Sequence, residues 1–129
     1  MGIRIEWDNE EKTIILHIYE GLWTLQDYYA LIDENRRQID SVGHRVDIIN
    51  DLRKMAVLPP DIAAGIRYAV RHAHPNEGLN IIVASPDYVR LLIDAINKAL
   101  DAVTEVIHTD TIDKARAIIA KHRAEQEGS

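Results

Sequence analysis

The sequence predicts a single α/β domain in which helices cover a mixed sheet. Apolar segments of strand length alternate with longer stretches whose apolar residues recur at helical spacing. Their order is β-β-α-β-α-β-α-β-α, which requires mostly parallel strands joined by right-handed crossovers. No linker rich in Pro, Gly or Ser divides the 129 residues. We expect a five-stranded mixed sheet clad by four helices over residues 1–124, followed by a polar tail at 125–129.

The first two strands form a hairpin. Residues 3–7 alternate between apolar and charged side chains, as in a half-buried strand, and the acidic segment 8–11 is a turn. Residues 13–19 are apolar on both faces, which is typical of a strand covered on both sides. The shortness of the turn makes the pair antiparallel neighbours.

The remaining elements follow from periodicity and from residues typical of helix ends. Thr24 and Asp27 have the spacing of a capping box, and Ser85 precedes a proline at a helix start. Gly65 lies inside the second helix, where we expect it to permit close packing. The other predicted elements are a first helix to about Ser41, strands at 46–50, 79–84 and 105–109, a second helix from Pro60 to about Ala73, and a last helix starting at Asp110 or Thr111.

Composition excludes several classes of function. The chain has no Cys, so it has no thiol nucleophile, disulfide or Cys-ligated metal. With 15 basic and 21 acidic residues the net charge is −6, which disfavours binding to nucleic acid or anionic lipid. We find no apolar run of about 18 residues, no secretory signal and no phosphate- or dinucleotide-binding motif. We therefore expect a cytoplasmic protein that binds no cofactor, no metal and no membrane.

One segment resembles a known family. Residues 46–55, VDIINDLRKM, look like the central strand of the STAS family, the bacterial anti-sigma-factor antagonists of SpoIIAA type, and the element order is similar to the STAS fold along nearly the whole chain. In that family an Asp-Leu/Phe-Ser/Thr motif carries regulatory phosphorylation. Arg53 stands where the hydroxyl would be, and no hydroxyl residue occurs between Asp51 and Pro60. The resemblance implies a regulatory protein-interaction module without the phosphoswitch.

Candidate partner-binding residues follow the third strand. Ligands of open α/β sheets gather at the carboxyl ends of parallel strands, which points to Asp51 and Arg53. Apolar residues in the predicted loop at 54–58 are unusual, and Met55, Val57 and Leu58 form a candidate docking patch. The alternatives are that Asp51 accepts amides of its own loop and that the apolar residues fold back onto the sheet.

Three of the six histidines, His17, His72 and His74, are candidates for a chemical role. His72 and His74 form a His-x-His pair, but at a helix end residues two apart face different ways, so cations at the negative helix end are the simpler account. His17 lies among apolar neighbours in a strand. It is either a half-buried, hydrogen-bonded residue or a general base.

These observations leave three hypotheses. The first is a non-enzymatic regulatory module that acts through the rim at 51–58, with a protein partner or a second copy of itself in a homodimer. The second is a small-ligand binder that uses this rim or a gap between sheet and helices. The third is a small enzyme with Asp51, Arg53 and His17 as its chemical groups. A pocket of several hundred Å³ would favour the second hypothesis.

Overall fold

The predicted element order and the mixed sheet are confirmed. The computed structural model describes residues 2–128. Strands β1–β5 lie side by side in chain order; β1 and β2 are antiparallel, and all other neighbours are parallel. The elements are β1 Ile3–Trp7, β2 Ile14–Gly21, α1 Leu25–Asp40, β3 Val46–Met55, α2 Ile62–Arg71, β4 Glu77–Val83, α3 Pro86–Leu100, β5 Ile107–Thr109 and α4 Ile112–Glu127.

The two faces of the sheet pack against different helices. Alternation along β2 sends Ile15, His17 and Tyr19 to one face and the residues between them to the other. Helices α1, α2 and α3 cover the first face, where Tyr19 joins the larger apolar core. Helix α4 covers the second face, and its Ile119 packs against β3 and β4. Both faces of β2 are therefore buried, as its sequence predicts.

The helix ends explain why these segments begin where they do. Thr24 accepts a hydrogen bond from the amide of Asp27 at 3.1 Å, and Asp27 accepts one from the amide of Thr24 at 2.9 Å. This is the predicted capping box. Ser85 caps α3, and of the two predicted candidates for α4 it is Thr111 that caps, whereas Asp61 at the start of α2 makes no side-chain cap bond.

Several boundaries differ from those predicted. Strand β3 continues to Met55, because the end of β2 pairs with it as far as Gly21. Met55 is 5% exposed and belongs to the core, so its placement in a surface patch was wrong. Strand β4 begins at Glu77, and β5 has only three residues. Helix α4 includes residues 125–127 of the predicted tail, and Ser129 lies outside the described residues.

Helices α1 and α2 approach each other closely at Gly65. A Cβ built there would lie 2.8 Å from Cδ2 of Tyr28 and 2.9 Å from Cδ1 of Leu25. Both distances are below normal carbon contacts. The interpretation that this glycine permits close packing is confirmed.

Helix α4 is fixed to the sheet by what we call the α4 clamp, formed by Asp47, Arg45 and Arg123. The Asp47 carboxylate is fully buried and pairs with Arg45 at 2.9 Å and Arg123 at 2.6 Å. It also accepts a hydrogen bond from the amide of Leu79 at 2.7 Å. Gly78 lies against this group, and a Cβ there would collide with the Asp47 carboxylate. Within residues 2–128, no helix is long and apolar enough to cross a membrane.

Candidate functional site: a cavity between the sheet and helices α1 to α3

A cavity of about 290 Å³ lies between the first face of the sheet and the helices that cover it. Strands β2, β3 and β4 form its floor, and α1, α2 and α3 form its walls. Its exposed lining residues come from the end of α2, from β4 and from the segment before β5: Val70, His72, Ala73, Asn80 and Glu105. These residues form the mouth of the cavity.

Most of the lining is apolar or aromatic. Ile66, Ile82, Leu92 and Ile96 contribute from the helices and from β4. Tyr19, Trp23 and Tyr28 line it on the side of β2 and α1, with ring centroids 5.3 Å apart for Tyr19 and Trp23 and 5.9 Å apart for Trp23 and Tyr28. Such a lining suits the apolar part of a small molecule.

His17 is the centre of a polar cluster in this apolar lining. Its ring is 3% exposed. Nε2 lies 2.9 Å from Oδ1 of Asn35, and Nδ1 lies 3.2 Å from Oδ1 of Asn50. Asn50 in turn donates to the side-chain oxygen of Asn80 and to the carbonyl of Ile81. The amides hold the ring in place and connect it to the mouth.

Burial keeps His17 neutral. Desolvation lowers its pKa from 6.5 to about 4, although the hydrogen bonds to Asn35 and Asn50 act in the opposite direction. A neutral imidazole has a single N–H donor, so only one of the two asparagine oxygens accepts from it in any one arrangement. The other ring nitrogen then faces an asparagine oxygen as one acceptor against another.

Glu77 adds a carboxylate to the same region. It is half-buried, and its Oε1 accepts a hydrogen bond from Nδ2 of Asn35 at 3.2 Å. Among residues 2–128 it has no ion-pair partner. Burial raises its pKa, and burial together with the charge of Glu77 raises the pKa of Tyr28 to about 12. The hydrogen bond from Asn35 and a charge interaction with His74 oppose the rise in the pKa of Glu77 without cancelling it, so the burial of its carboxylate is only partly compensated.

Trp23 contributes an unpaired donor. The residue is 7% exposed, and its indole N–H is buried without a hydrogen-bond partner among residues 2–128. Buried donors of this kind are rare, since leaving one unpaired costs about 1–3 kcal/mol. Its side chain lies in the cavity lining, close to the rings of Tyr19 and Tyr28.

The three residues of the predicted docking patch, Met55, Val57 and Leu58, are not exposed together. Asp51 and Arg53 pair at 2.9 Å, and Val57 is 58% exposed. Burial would raise the pKa of Asp51, but its bonds and charge interaction with Arg53 outweigh this effect and lower it. Leu58 is half-buried and lines the cavity, and Met55 is core.

The structure also separates His17 from Asp51. The side chain of Asn50, one residue before Asp51, reaches His17 on the face that α1 to α3 cover. Successive side chains of β3 point to opposite faces, so Asp51 points to the other face of the sheet. The three groups of the enzyme hypothesis do not converge in one cleft.

The two histidines of the His-x-His pair, His72 and His74, have local partners. The ring of His72 stacks on Tyr68 with centroids 4.0 Å apart, and Nδ1 lies 2.9 Å from the carbonyl of that residue. His74 reaches Asp40 at 3.3 Å. In the described part of the chain, no group of three His, Cys, Asp or Glu side chains is arranged to hold a metal ion.

Sequence reasoning missed Asn35, Asn50, Glu77 and Asn80. A signal was present in the strands, where a polar residue interrupts each apolar run: His17 in β2, Asn50 in β3 and Asn80 in β4. His17 is aligned with Asn50, and Ile48, two residues before Asn50, is aligned with Asn80. Polar residues brought together on one face by strand register indicate a site within that face. The rule that ligands gather at the carboxyl ends of parallel strands favoured Asp51 and Arg53 instead.

Comparison with models of known protein families and with curated proteins found no match for this chain.

Proposed function

We propose that this protein binds a small, largely apolar molecule with one polar group in the cavity between the sheet and helices α1 to α3. The observation that carries the proposal is the partly open apolar space with His17, Asn35, Asn50 and Glu77 gathered in its lining. Ligand sites are typically apolar clefts with a few convergent polar groups. At the roughly 30 Å³ that a water occupies in the liquid, this space corresponds to about ten non-hydrogen atoms.

A matched pair of variants tests the proposal. Ala69 lies on α2 in the cavity lining, and Ala120 is exposed on α4, on the opposite side of the sheet. We expect 3-phenylpropan-1-ol to shift the amide resonances of Ile66 and Ile82 in wild type and in Ala120→Phe. Ala69→Phe fills the cavity and abolishes these shifts. Shifts confined to residues outside the lining, or equal shifts in both variants, would contradict the proposal.

A regulatory protein-interaction module, as the STAS resemblance suggests, is the second candidate. One observation favours it. Leu22, 74% exposed, and Val57, 58% exposed, lie together at the edge formed by the carboxyl ends of β2 and β3, where the amide of Ala56 donates to the carbonyl of Gly21 at 3.0 Å. The Asp51–Arg53 pair lies on the same stretch of β3. A homodimer is the simplest assembly that would cover this edge.

Val57→Glu tests that candidate without disturbing the core. Leu58 would be a poor choice, because it packs against buried residues and a charge there would destabilise the fold. If the edge at Leu22 and Val57 mediates a dimer, sedimentation at micromolar concentration shows a dimer for wild type and a monomer for Val57→Glu. A dimer that survives the substitution points to the open edge of β1 instead. A wild-type monomer removes the homodimer altogether.

A further inference from the structure

The described residues that line the cavity include two acids and two histidines but no Lys or Arg. The two acids are Glu77 and Glu105. Glu105 is exposed at the mouth, and Glu77 is half-buried. His17, the most deeply placed titratable group near them, is neutral because burial disfavours its cation. The formal charges among the lining side chains are therefore the two carboxylates, and the Arg36 guanidinium is bonded to the backbone carbonyls of His72 and Ala73 at the mouth.

The hydrogen-bonding groups around His17 and Glu77 show the same bias, whereas the indole N–H of Trp23 is a donor in the lining without a partner among residues 2–128. The side-chain oxygens of Asn35 and Asn50 both face His17, which has one donor to give. The Glu77 carboxylate receives a single hydrogen bond, from Asn35, and has unused acceptor capacity. A ligand that supplies several N–H donors satisfies these groups, whereas a ligand that supplies acceptors does not.

The aromatic side chains fit a ligand of the same class. Tyr19, Trp23 and Tyr28 contribute three rings to the lining, and Glu77 lies close enough to Tyr28 for its charge to raise the pKa of the phenol. Aromatic faces attract cations and pack against apolar groups. A carboxylate beside aromatic rings is an arrangement suited to an ammonium group attached to an apolar body.

From these observations we infer that the ligand of the cavity is an organic cation, a protonated amine of about ten non-hydrogen atoms whose ammonium group pairs with Glu77. This inference rests on the proposed function and specifies its ligand class. An anion of the same size would meet two carboxylates and no Lys or Arg among the described lining residues. A neutral analogue would fill the apolar space but leave the carboxylate unpaired.

Three probes of nearly equal size test the charge. They are 3-phenylpropan-1-amine, 3-phenylpropan-1-ol and 3-phenylpropanoate, titrated into the wild-type protein at neutral pH and followed by amide shifts of the lining. We expect the amine to bind at least about tenfold more tightly than the alcohol, and the carboxylate to bind more weakly than both. Equal affinities of the amine and the alcohol, or preference for the carboxylate, would overturn the inference.

Substitution of Glu77 assigns the effect to one residue. Glu77→Gln keeps an acceptor for Asn35 but removes the charge, and Glu125→Gln makes the same change of net charge on α4, outside the cavity. We expect Glu77→Gln to weaken the amine about tenfold and leave the alcohol nearly unchanged, and Glu125→Gln to affect neither. Equal losses for both probes in Glu77→Gln would indicate a structural role and reject the pairing.

The outcomes distinguish a failure of this inference from a failure of the proposed ligand-binding function. If the alcohol binds in the lining and the amine shows no advantage, the cavity is a ligand site but the cation is wrong. If none of the three probes shifts the lining residues, the proposed function fails as well. The comparison of probes on the wild-type protein decides the question even if Glu77→Gln does not fold.

Discussion

Burial sets the charge of His17. The folded state holds its pKa at about 4, whereas an exposed histidine titrates near 6.5. Between these two pKa values, the unfolded chain binds a proton at His17 and the folded protein does not. The contribution of His17 to stability is complete above pH 6.5 and is lost as the pH falls toward 4, with a total on the order of 3 kcal/mol.

We expect His17→Gln to reduce the acid sensitivity of folding. Urea unfolding of wild type and variant at about pH 7 and about pH 4.5 gives the change in free energy of unfolding for each. Wild type loses more stability over this interval than the variant does. His72→Gln is the control, because His72 is exposed at the end of α2. Equal losses in wild type and His17→Gln would show that another group controls the acid response.

At the scale of elements, the contact between α1 and α2 depends on Gly65. Alanine in place of glycine favours a helix by about 1 kcal/mol. Here the added Cβ would press on the ring of Tyr28, which itself packs against Trp23 in the cavity lining. Overpacking of this kind costs about 1–3 kcal/mol, so the packing effect outweighs the propensity.

We therefore expect Gly65→Ala to lower the free energy of unfolding, and Gly128→Ala to change it little. At Gly128 the nearest atom to an added Cβ is the Ala124 carbonyl oxygen at 3.4 Å, an ordinary contact. Chemical denaturation of both variants measures the difference. A stabilised Gly65→Ala would mean that α2 shifts away from α1 at no cost, and the cavity would then differ in shape.

The sequence predicts the elements better than their ends. Alternation and helical periodicity identify all nine elements in order, because each buries at least one apolar face. The end of β3 is missed because Asp51, Arg53 and Lys54 have low strand propensity; pairing with the end of β2 overrides it. The end of α4 is missed because residues 125–127 are polar, although a solvated helix tolerates such residues.

The site is less predictable than the fold. Helix caps at Thr24 and Ser85 depend on residues three apart and are visible in the sequence. The cavity depends on which side chains of three strands and three helices share one face, and Asn35 on α1 meets His17 on β2 only through packing. Local sequence patterns do not show that these two residues, 18 positions apart in the chain, come into contact.

At the scale of the whole molecule, two ion pairs on β3 provide a controlled comparison. Asp47 pairs with Arg45, the residue just before the strand, and Asp51 pairs with Arg53 inside it, so each pair is two residues apart. The Asp47 side chain is 0% exposed and also binds Arg123 of α4, whereas Asp51 is 13% exposed and its partner Arg53 is 46% exposed. Burial and the second arginine distinguish the pairs.

We expect Asp47→Asn to cost about 3–5 kcal/mol, because it leaves two guanidinium groups without their buried carboxylate. Asp51→Asn removes a more exposed pair and costs about 0–1 kcal/mol. Denaturant unfolding measures both. Similar losses in the two variants would contradict the view that the α4 clamp holds the last helix on the sheet.

The α4 clamp also has a consequence for the order in which the protein is made. Arg123 bonds Thr13, and Arg116 bonds Asp8, so residues 110 and 108 positions apart must meet. At about 5–20 residues per second, the ribosome needs on the order of ten seconds to add the later partner. Throughout that interval the α4 side of β2, with Ile14, Leu16 and Ile18, has no cover. We therefore expect this apolar strand face of the nascent chain to stay uncovered until α4 emerges.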